Sequence, residues 1–213
     1  MRRFLQPRYS LNWIIGRYRA DGFVWHVRGS EYPMNHEDWL RRKVRDFYGK
    51  LFVDIGANVG TWAIRASKFF EKIIAFEPDP MANRILRINV RLNGLKNTKV
   101  FRAAVSNVDG FVTMQYVNLR NLSNVKTYKV PTVTLDSLNL SPTLIKIDTE
   151  GNELPILQGA VHTLRRRPRL VIETHSPRSV GEVGELLESY KYSIREIRRL
   201  NRRNELQTWL LCD

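Results

Sequence analysis

The spacing of apolar positions changes along the chain, and each change marks a predicted element. Short continuous runs read as buried strands: Leu51-Phe-Val-Asp-Ile55, Ile73-Ile-Ala-Phe76, Lys99 to Val105, Leu144-Ile-Lys-Ile-Asp148 and Leu170-Val-Ile-Glu-Thr174. Between them the spacing becomes helical. Trp62, Ala63, Ala66, Phe69 and Phe70 form one predicted inner face, and Ile85, Leu86 and Val90 form the next. That second helix has Asp79 as its cap, Pro80 at its first position and Gly94 after its end. A short helix runs to Gly159. A last one carries Val183, Leu186, Leu187 and Tyr190 behind a capping box, Ser179-x-x-Glu182. Strands alternating with helices predict an α/β, Rossmann-like, doubly wound domain with a mostly parallel sheet.

Two stretches break this rhythm. Residues 110–135 alternate without helical period and read as a β-rich insertion, with strands at Phe111 to Val117 and Val130 to Leu135. It either lines an acceptor cleft or is a plain hairpin. At the other end, Gly22 to Arg28 alternates like a strand. A helix capped by Asn35 is expected next, with Glu37 and Asp38 in its first turn and Leu40, Val44 and Phe47 on one face. Arg41, Arg42, Lys43 and Arg45 on its other faces suit solvent or an acceptor-binding patch. The chain thus divides into an N-terminal extension at 1–48, with a short strand and a basic helix, and the main domain at 49–213. Strands at Ser193 to Ile197 and Leu206 to Leu211 finish the fold.

With 213 residues and 43% hydrophobic content, the chain can bury the core of one globular domain. A formal charge of +14 favours solubility and attraction to polyanions: nucleic acid, anionic lipid or an acidic substrate. Arg165-Arg-Arg-Pro-Arg169 and Arg198-Arg-Leu-Asn-Arg-Arg203 concentrate that charge, and a solvated surface explains them equally. The single cysteine, Cys212, cannot form an internal disulfide, which suits a reducing compartment. No apolar run approaches the ~20 residues of a membrane span, so the protein is expected to be soluble and cytoplasmic.

The chemistry centres on Asp54-x-Gly56-x-x-x-Gly60. A dinucleotide fingerprint would need glycines where this turn has Asn58 and Thr61, and no Gly-Lys-Ser/Thr closes a phosphate loop. Gly56 lets the backbone approach a ligand, Asn58 tolerates positive φ, and Asp54 supplies negative charge. A cationic or zwitterionic ligand fits that combination. Glu77, 23 residues after Asp54, stands where an acid holds ribose hydroxyls. On the later strands Asp148 and Glu150 share a parity, as do Glu173 and His175, so four titratable groups converge on one sheet edge. A histidine there can accept a hydroxyl proton while a carboxylate orients its ring. The same oxygen and imidazole mix also suits a divalent ion. The reading adopted is acceptor binding, with no metal.

These stretches resemble the FkbM family of class I S-adenosylmethionine-dependent methyltransferases. Phe52-Val-Asp-Ile-Gly-Ala-Asn-Val-Gly60 looks like the family's first motif. Ala75-Phe-Glu77-Pro-Asp-Pro80, Ala103-Ala-Val-Ser106, Val130-Pro-Thr-Val-Thr-Leu-Asp136, Lys146-Ile-Asp148-Thr-Glu150-Gly151 and Glu173-Thr-His175 follow in family order. The resemblance implies the class I methyltransferase fold and S-adenosyl-L-methionine as cofactor. It implies cofactor contacts from Asp54, Gly56, Asn58, Gly60 and Glu77, with adenine near Ala104. The implied reaction is methyl transfer, most often to oxygen, with Asp148, Glu150, Glu173 and His175 serving the acceptor and His175, helped by Glu173, as general base. The acceptor is then a hydroxyl of a sugar, lipid-linked glycan, small metabolite or RNA ribose. No Asn/Asp-Pro-Pro-aromatic stretch follows the fourth strand, and Cys212 lies outside any site. The alternative is a nucleic-acid methyltransferase, or a non-catalytic nucleic-acid-binding module using the basic surface.

Overall fold

The computed structural model describes residues 16–27, 38–44, 46–117, 125–200 and 206–213. A hairpin of β1 (Gly16–Ala20) and β2 (Phe23–Val27) leads to a one-turn helix, α1 (Asp38–Arg41). The alternating region follows: β3 (Gly49–Ile55), α2 (Thr61–Ala66), β4 (Phe70–Phe76), α3 (Pro80–Leu92) and β5 (Thr98–Phe101). Next come β6 (Ala104–Val105), β7 (Gly110–Val117) and β8 (Val125–Val133), which form a separate small sheet in the order β6-β8-β7. The chain then re-enters the main sheet through β9 (Leu144–Ile147), α4 (Glu153–Gln158), α5 (Val161–Arg165) and β10 (Arg169–Thr174). It closes with α6 (Pro177–Ser189), β11 (Ile194–Leu200) and β12 (Leu206–Cys212).

The main sheet has seven strands in the order β11-β12-β10-β9-β3-β4-β5. Strands β5, β4, β3, β9 and β10 run parallel, and β12 is antiparallel to both of its neighbours. Central strands are apolar on both faces because both are covered. On one face Val53, Ile55, Ile145, Ile147 and Ile172 pack with Ile156, Leu157, Leu164, Val183 and Leu187 of α4, α5 and α6. On the other, Phe52, Ile73, Ala75, Val171 and Trp209 pack with Trp62 and Ala63 of α2, Leu86 and Val90 of α3, and Phe23, Trp25 and Leu40. Strand β2 is also fixed to α3 by polar pegs. Asn93 exchanges hydrogen bonds with the Val24 backbone in both directions, and Asn89 Oδ1 accepts from His26 N.

Several boundaries differ from the sequence reading. The stretch from Lys99 to Val105 is two strands in two sheets, because Glu77 N and Asn83 Nδ2 both take the Phe101 carbonyl and end β5 there. Helix α2 stops at Ala66: Asn97 Nδ2 bonds the Ser67 and Phe70 carbonyls across the turn. Phe69 is left 42% exposed, and Phe70 opens β4. Helix α1 ends at Arg41, so Val44 and Phe47 reach the core from the loop after it. In α6 the cap is Ser176, whose hydroxyl accepts from Ser179 N, with Pro177 at the first helical position. Glu182 pairs with Arg178 instead of closing a capping box. Asn35, Glu37, Arg45, Arg202 and Arg203 lie outside the described residues. The β-rich insertion is a hairpin, β7 and β8, and the cap at Asp79 is present, accepting from Met81 N and Ala82 N.

Candidate active site

The carboxyl ends of β3, β4, β9 and β10 come together at one edge of the sheet. Between β3 and α2 the chain makes a tight turn. Gly56 N and Ala57 N both donate to the Phe76 carbonyl, and Gly56 and Asn58 adopt positive φ of 74° and 48°. A Cβ on Gly56 would lie 1.8 Å from the Asp148 carbonyl oxygen, so only glycine lets the loops after β3 and β9 close together. Gly60, at φ 98°, caps α2 where a side chain would meet Leu86 of α3 at 2.5 Å. Asp54 is wholly buried beneath this turn. Its Oδ2 accepts from Ala63 N at 2.9 Å, and its Oδ1 has no hydrogen-bond partner among the described residues, with Lys146 Nζ 3.8 Å away. Burial raises the Asp54 pKa to about 6, against the pull of the Lys146 charge.

Glu77 ties the turn to the next helix. Oε2 accepts from Asn58 N at 2.7 Å and Oε1 from Asp79 N at 2.8 Å. Burial raises its pKa, opposed by those two backbone hydrogen bonds. The five residues read from the sequence as cofactor contacts, Asp54, Gly56, Asn58, Gly60 and Glu77, are thus one connected turn. Ala104 stands apart from their bonding, half-buried on β6 and paired with Thr132 of the small sheet. Tyr128 of β8 reaches over, its hydroxyl donating to Asp79 Oδ2 at 3.3 Å.

On the β9 and β10 side, one imidazole faces several carboxylates. His175 Nδ1 lies 3.1 Å from Glu153 Oε1, and Nε2 lies 3.6 Å from Asp148 Oδ1 and 3.4 Å from Glu150 Oε2. The hydrogen bond to Glu153, assisted by the charges of Glu150 and Asp148, raises the His175 pKa to about 9. Burial works to raise the Glu153 pKa, but hydrogen bonds from His175 and Gly151 N outweigh it and hold that carboxyl below its ordinary value. Lys146 Nζ donates to Asp148 Oδ2 at 3.0 Å and to the Gly56 carbonyl at 3.2 Å. Glu173 Oε2 accepts from Trp209 Nε1 at 3.1 Å.

All four sequence-chosen residues therefore meet at this edge. The carboxylate against Nδ1, however, is Glu153 and not Glu173. Glu153 went unnoticed because it opens a short helix with nothing in its spacing to show that the helix folds back on His175. Lys146 had a signal: a lysine inside an apolar strand is rarely buried without an anionic partner. The hollow lined by Tyr48, Lys50, Lys68 and Phe69 lies at the opposite edge of the sheet and shares none of these groups.

A glycine turn and an acid at the carboxyl edge of a seven-stranded sheet, with an antiparallel strand next to one edge, define the class I methyltransferase fold. Residues 54–194 match the family model for the methyltransferase FkbM domain, and the chain belongs to that methyltransferase family. Among curated proteins, the hexuronic acid methyltransferase AglP of Haloferax volcanii is 28% identical over 160 residues, which cover 70% of this chain and 65% of AglP. A tRNA/tmRNA (uracil-C(5))-methyltransferase of Nitratiruptor is 22% identical over 117 residues, 55% of this chain and 31% of that protein. The chain thus spans less than two thirds of either relative. The crystal structure of methyltransferase FkbM from Methylobacillus flagellatus superposes with a TM-score of 0.60 at 20% identity, covering 76% of this chain and 43% of that one. A Pyrococcus abyssi tRNA uracil C5-methyltransferase bound to S-adenosyl-L-homocysteine gives 0.58 at 14% identity, over 92% and 43% of the two chains. These likenesses show the fold. Among the described residues no helix is long and apolar enough to cross a membrane.

Proposed function

We propose that the chain transfers the methyl group of S-adenosyl-L-methionine to a sugar hydroxyl, in an acceptor of the hexuronate or related glycan class. The observation that carries this reading is the bonded turn of Asp54, Gly56, Asn58 and Glu77. It sets two buried acids, at the ends of neighbouring strands, beside a glycine that lets backbone and ligand approach closely. A sulfonium and an ammonium favour that negative pocket, and each Glu77 oxygen keeps a second lone pair for a ribose hydroxyl. The sugar acceptor is supported by the likeness to the Haloferax hexuronic acid methyltransferase.

The sulfonium is already an electrophile, so the protein has to align the acceptor oxygen with the methyl carbon and take up its proton. The sequence reading gave that proton to His175. The carboxylates around it raise the His175 pKa to about 9, which makes it a poor base, so we assign the proton to Glu150, with Asp148 and His175 holding the acceptor oxygen. A nucleic-acid acceptor has the +14 charge and the lower likeness to the Nitratiruptor tRNA/tmRNA methyltransferase in its favour. A uracil ring carbon is disfavoured, because Cys212 is buried in β12 and burial raises its pKa to about 12.

Calorimetry with S-adenosyl-L-methionine on the wild type and Glu77→Gln tests the cofactor assignment, with thermal melts confirming that both are folded. Binding should be clear in the wild type and at least about tenfold weaker in the variant, since a charged hydrogen bond contributes about 1.5–3 kcal/mol. Equal binding removes Glu77 from the site. No binding by the wild type removes the methyl-transfer reading. Labelled-methyl transfer to hexuronates, neutral sugars and RNA then identifies the acceptor.

A further inference from the structure

We propose that Asp148, Glu173 and His175 form a binding site for one divalent cation of the Mn2+ or Mg2+ kind, placed where the acceptor hydroxyl is to be methylated. One potential ligand atom from each residue lies within 4.8 Å of the other two. Around a six-coordinate ion with bonds of about 2.1 Å, ligand atoms stand roughly 3 Å apart when adjacent and about 4.2 Å apart when opposed. The contacts from Nε2 to Asp148 and Glu150, 3.6 and 3.4 Å, are longer than the about 2.7–3.2 Å of a good hydrogen bond and close to that spacing. Three such ligands leave the other positions of a six-coordinate shell to water and the acceptor.

The outer contacts of the three residues argue more strongly than their proximity. A metal-bound histidine almost always gives its other ring N–H to a carboxylate or carbonyl, which fixes the tautomer and aims the free nitrogen. His175 has that arrangement, with Nδ1 against Glu153, a fully buried glutamate that also accepts from Gly151 N. Asp148 is held in the same way, its Oδ2 on the buried Lys146 and its Oδ1 turned toward Nε2. Glu173 is held by the buried Trp209 through Oε2. Each candidate ligand therefore has a buried partner on its far side, while the Asp148 and His175 side chains remain 22% and 24% exposed, which leaves an entry path.

Charge points the same way. In a chain of net charge +14, the carboxylates of Asp148, Glu150, Glu153 and Glu173 gather around a single imidazole, with Lys146 as the nearest ammonium. A divalent ion offsets that excess of negative charge. Oxygen ligands with one imidazole suit Mn2+, and Mg2+ more weakly. On the methyl-transfer reading, the ion would coordinate the acceptor hydroxyl and lower its pKa. The hydroxyl proton passes to Glu150 or solvent and the oxygen bonds to the methyl carbon. The carbon–sulfur bond breaks with its electron pair on sulfur, leaving S-adenosyl-L-homocysteine. A hexuronate, with a carboxylate and neighbouring hydroxyls, is a good chelator for such an ion.

The test is Mn2+ titration of the EDTA-treated full chain, followed by the electron paramagnetic resonance signal of free Mn2+, with neither cofactor nor acceptor present. One ion should bind per chain and Mg2+ should compete. Asp148→Asn and His175→Ala should each weaken binding at least tenfold, and Glu153→Gln by about 10–100-fold through the ring it positions. Circular dichroism and melting curves select the variants that fold, and Asp148→Asn, which preserves shape, stands in if His175→Ala does not. Failure of the wild type to bind at millimolar Mn2+, or unchanged affinity in the folded variants, overturns the site. Cofactor calorimetry on the same EDTA-treated protein separates the two readings: cofactor binding without Mn2+ binding overturns the metal site and leaves methyl transfer standing.

Discussion

Asp54 is a wholly buried acid whose Oδ1 meets the charge of Lys146 at 3.8 Å without a hydrogen bond, and its pKa stands near 6 against an ordinary 3.8. The folded state therefore binds this proton more tightly than the unfolded chain. The resulting stabilisation is complete below the unfolded value and is lost as pH rises through about 6. Asp54→Asn should remove that component: urea denaturation of the wild type shows a loss of stability between about pH 4 and pH 7 that the variant lacks. The same variant should bind S-adenosyl-L-methionine more weakly at pH 7, where the wild-type carboxyl is mostly charged. The place of Asp54 beneath the turn was readable because acid, glycine and asparagine keep fixed offsets within one turn. Glu153 was not, because its contact with His175 joins residues 22 apart through the packing of α4 against β10. Glu173 follows its parity into the site, with a carboxylate oxygen within 4.8 Å of Asp148 and His175 ligand atoms, but parity gave no sign that Oε2 would accept from Trp209 on the antiparallel neighbour.

Hydrophobic period located nearly every strand and helix of the main domain, yet their ends were set by side chains that bond distant backbone. Asn97, Asn83 and Ser176 respectively close the turn after α2, stop β5 and start α6, and none of them belongs to the apolar pattern. The N-terminal hairpin is the clearest case. Its second strand has no partner in the main sheet and is joined to α3 by Asn93 and Asn89. Asn93→Ala leaves the Val24 N–H and carbonyl without their partners and should cost about 1–3 kcal/mol. Limited proteolysis should then cut faster at the Asp21–Gly22 turn. An unchanged cleavage rate would mean that Phe23 and Trp25, buried against Leu86 and Val90, hold the hairpin without the asparagines.

Across the whole molecule the basic runs are partly committed to structure. Arg166, Arg167 and Arg169 donate to the carbonyls of Leu140, Tyr190 and Tyr48, and Arg198 pairs with Glu196. The bonds to carbonyls leave those guanidinium charges in place, and affinity for RNA or an anionic glycan should fall linearly in log–log form between about 50 and 200 mM salt. Fluorescence anisotropy measures that slope, and a flat response removes polyanions as partners. Cys212 has a different consequence. It is the chain's single thiol, 1% exposed, on the antiparallel strand β12 between Leu170 of β10 and Ile194 of β11. A thiol reagent can reach it only when those strands separate, so the rate of covalent labelling acts as a clock for the opening of that side of the sheet. The native sequence thus carries its own unfolding reporter, with no engineered probe and no competing cysteine.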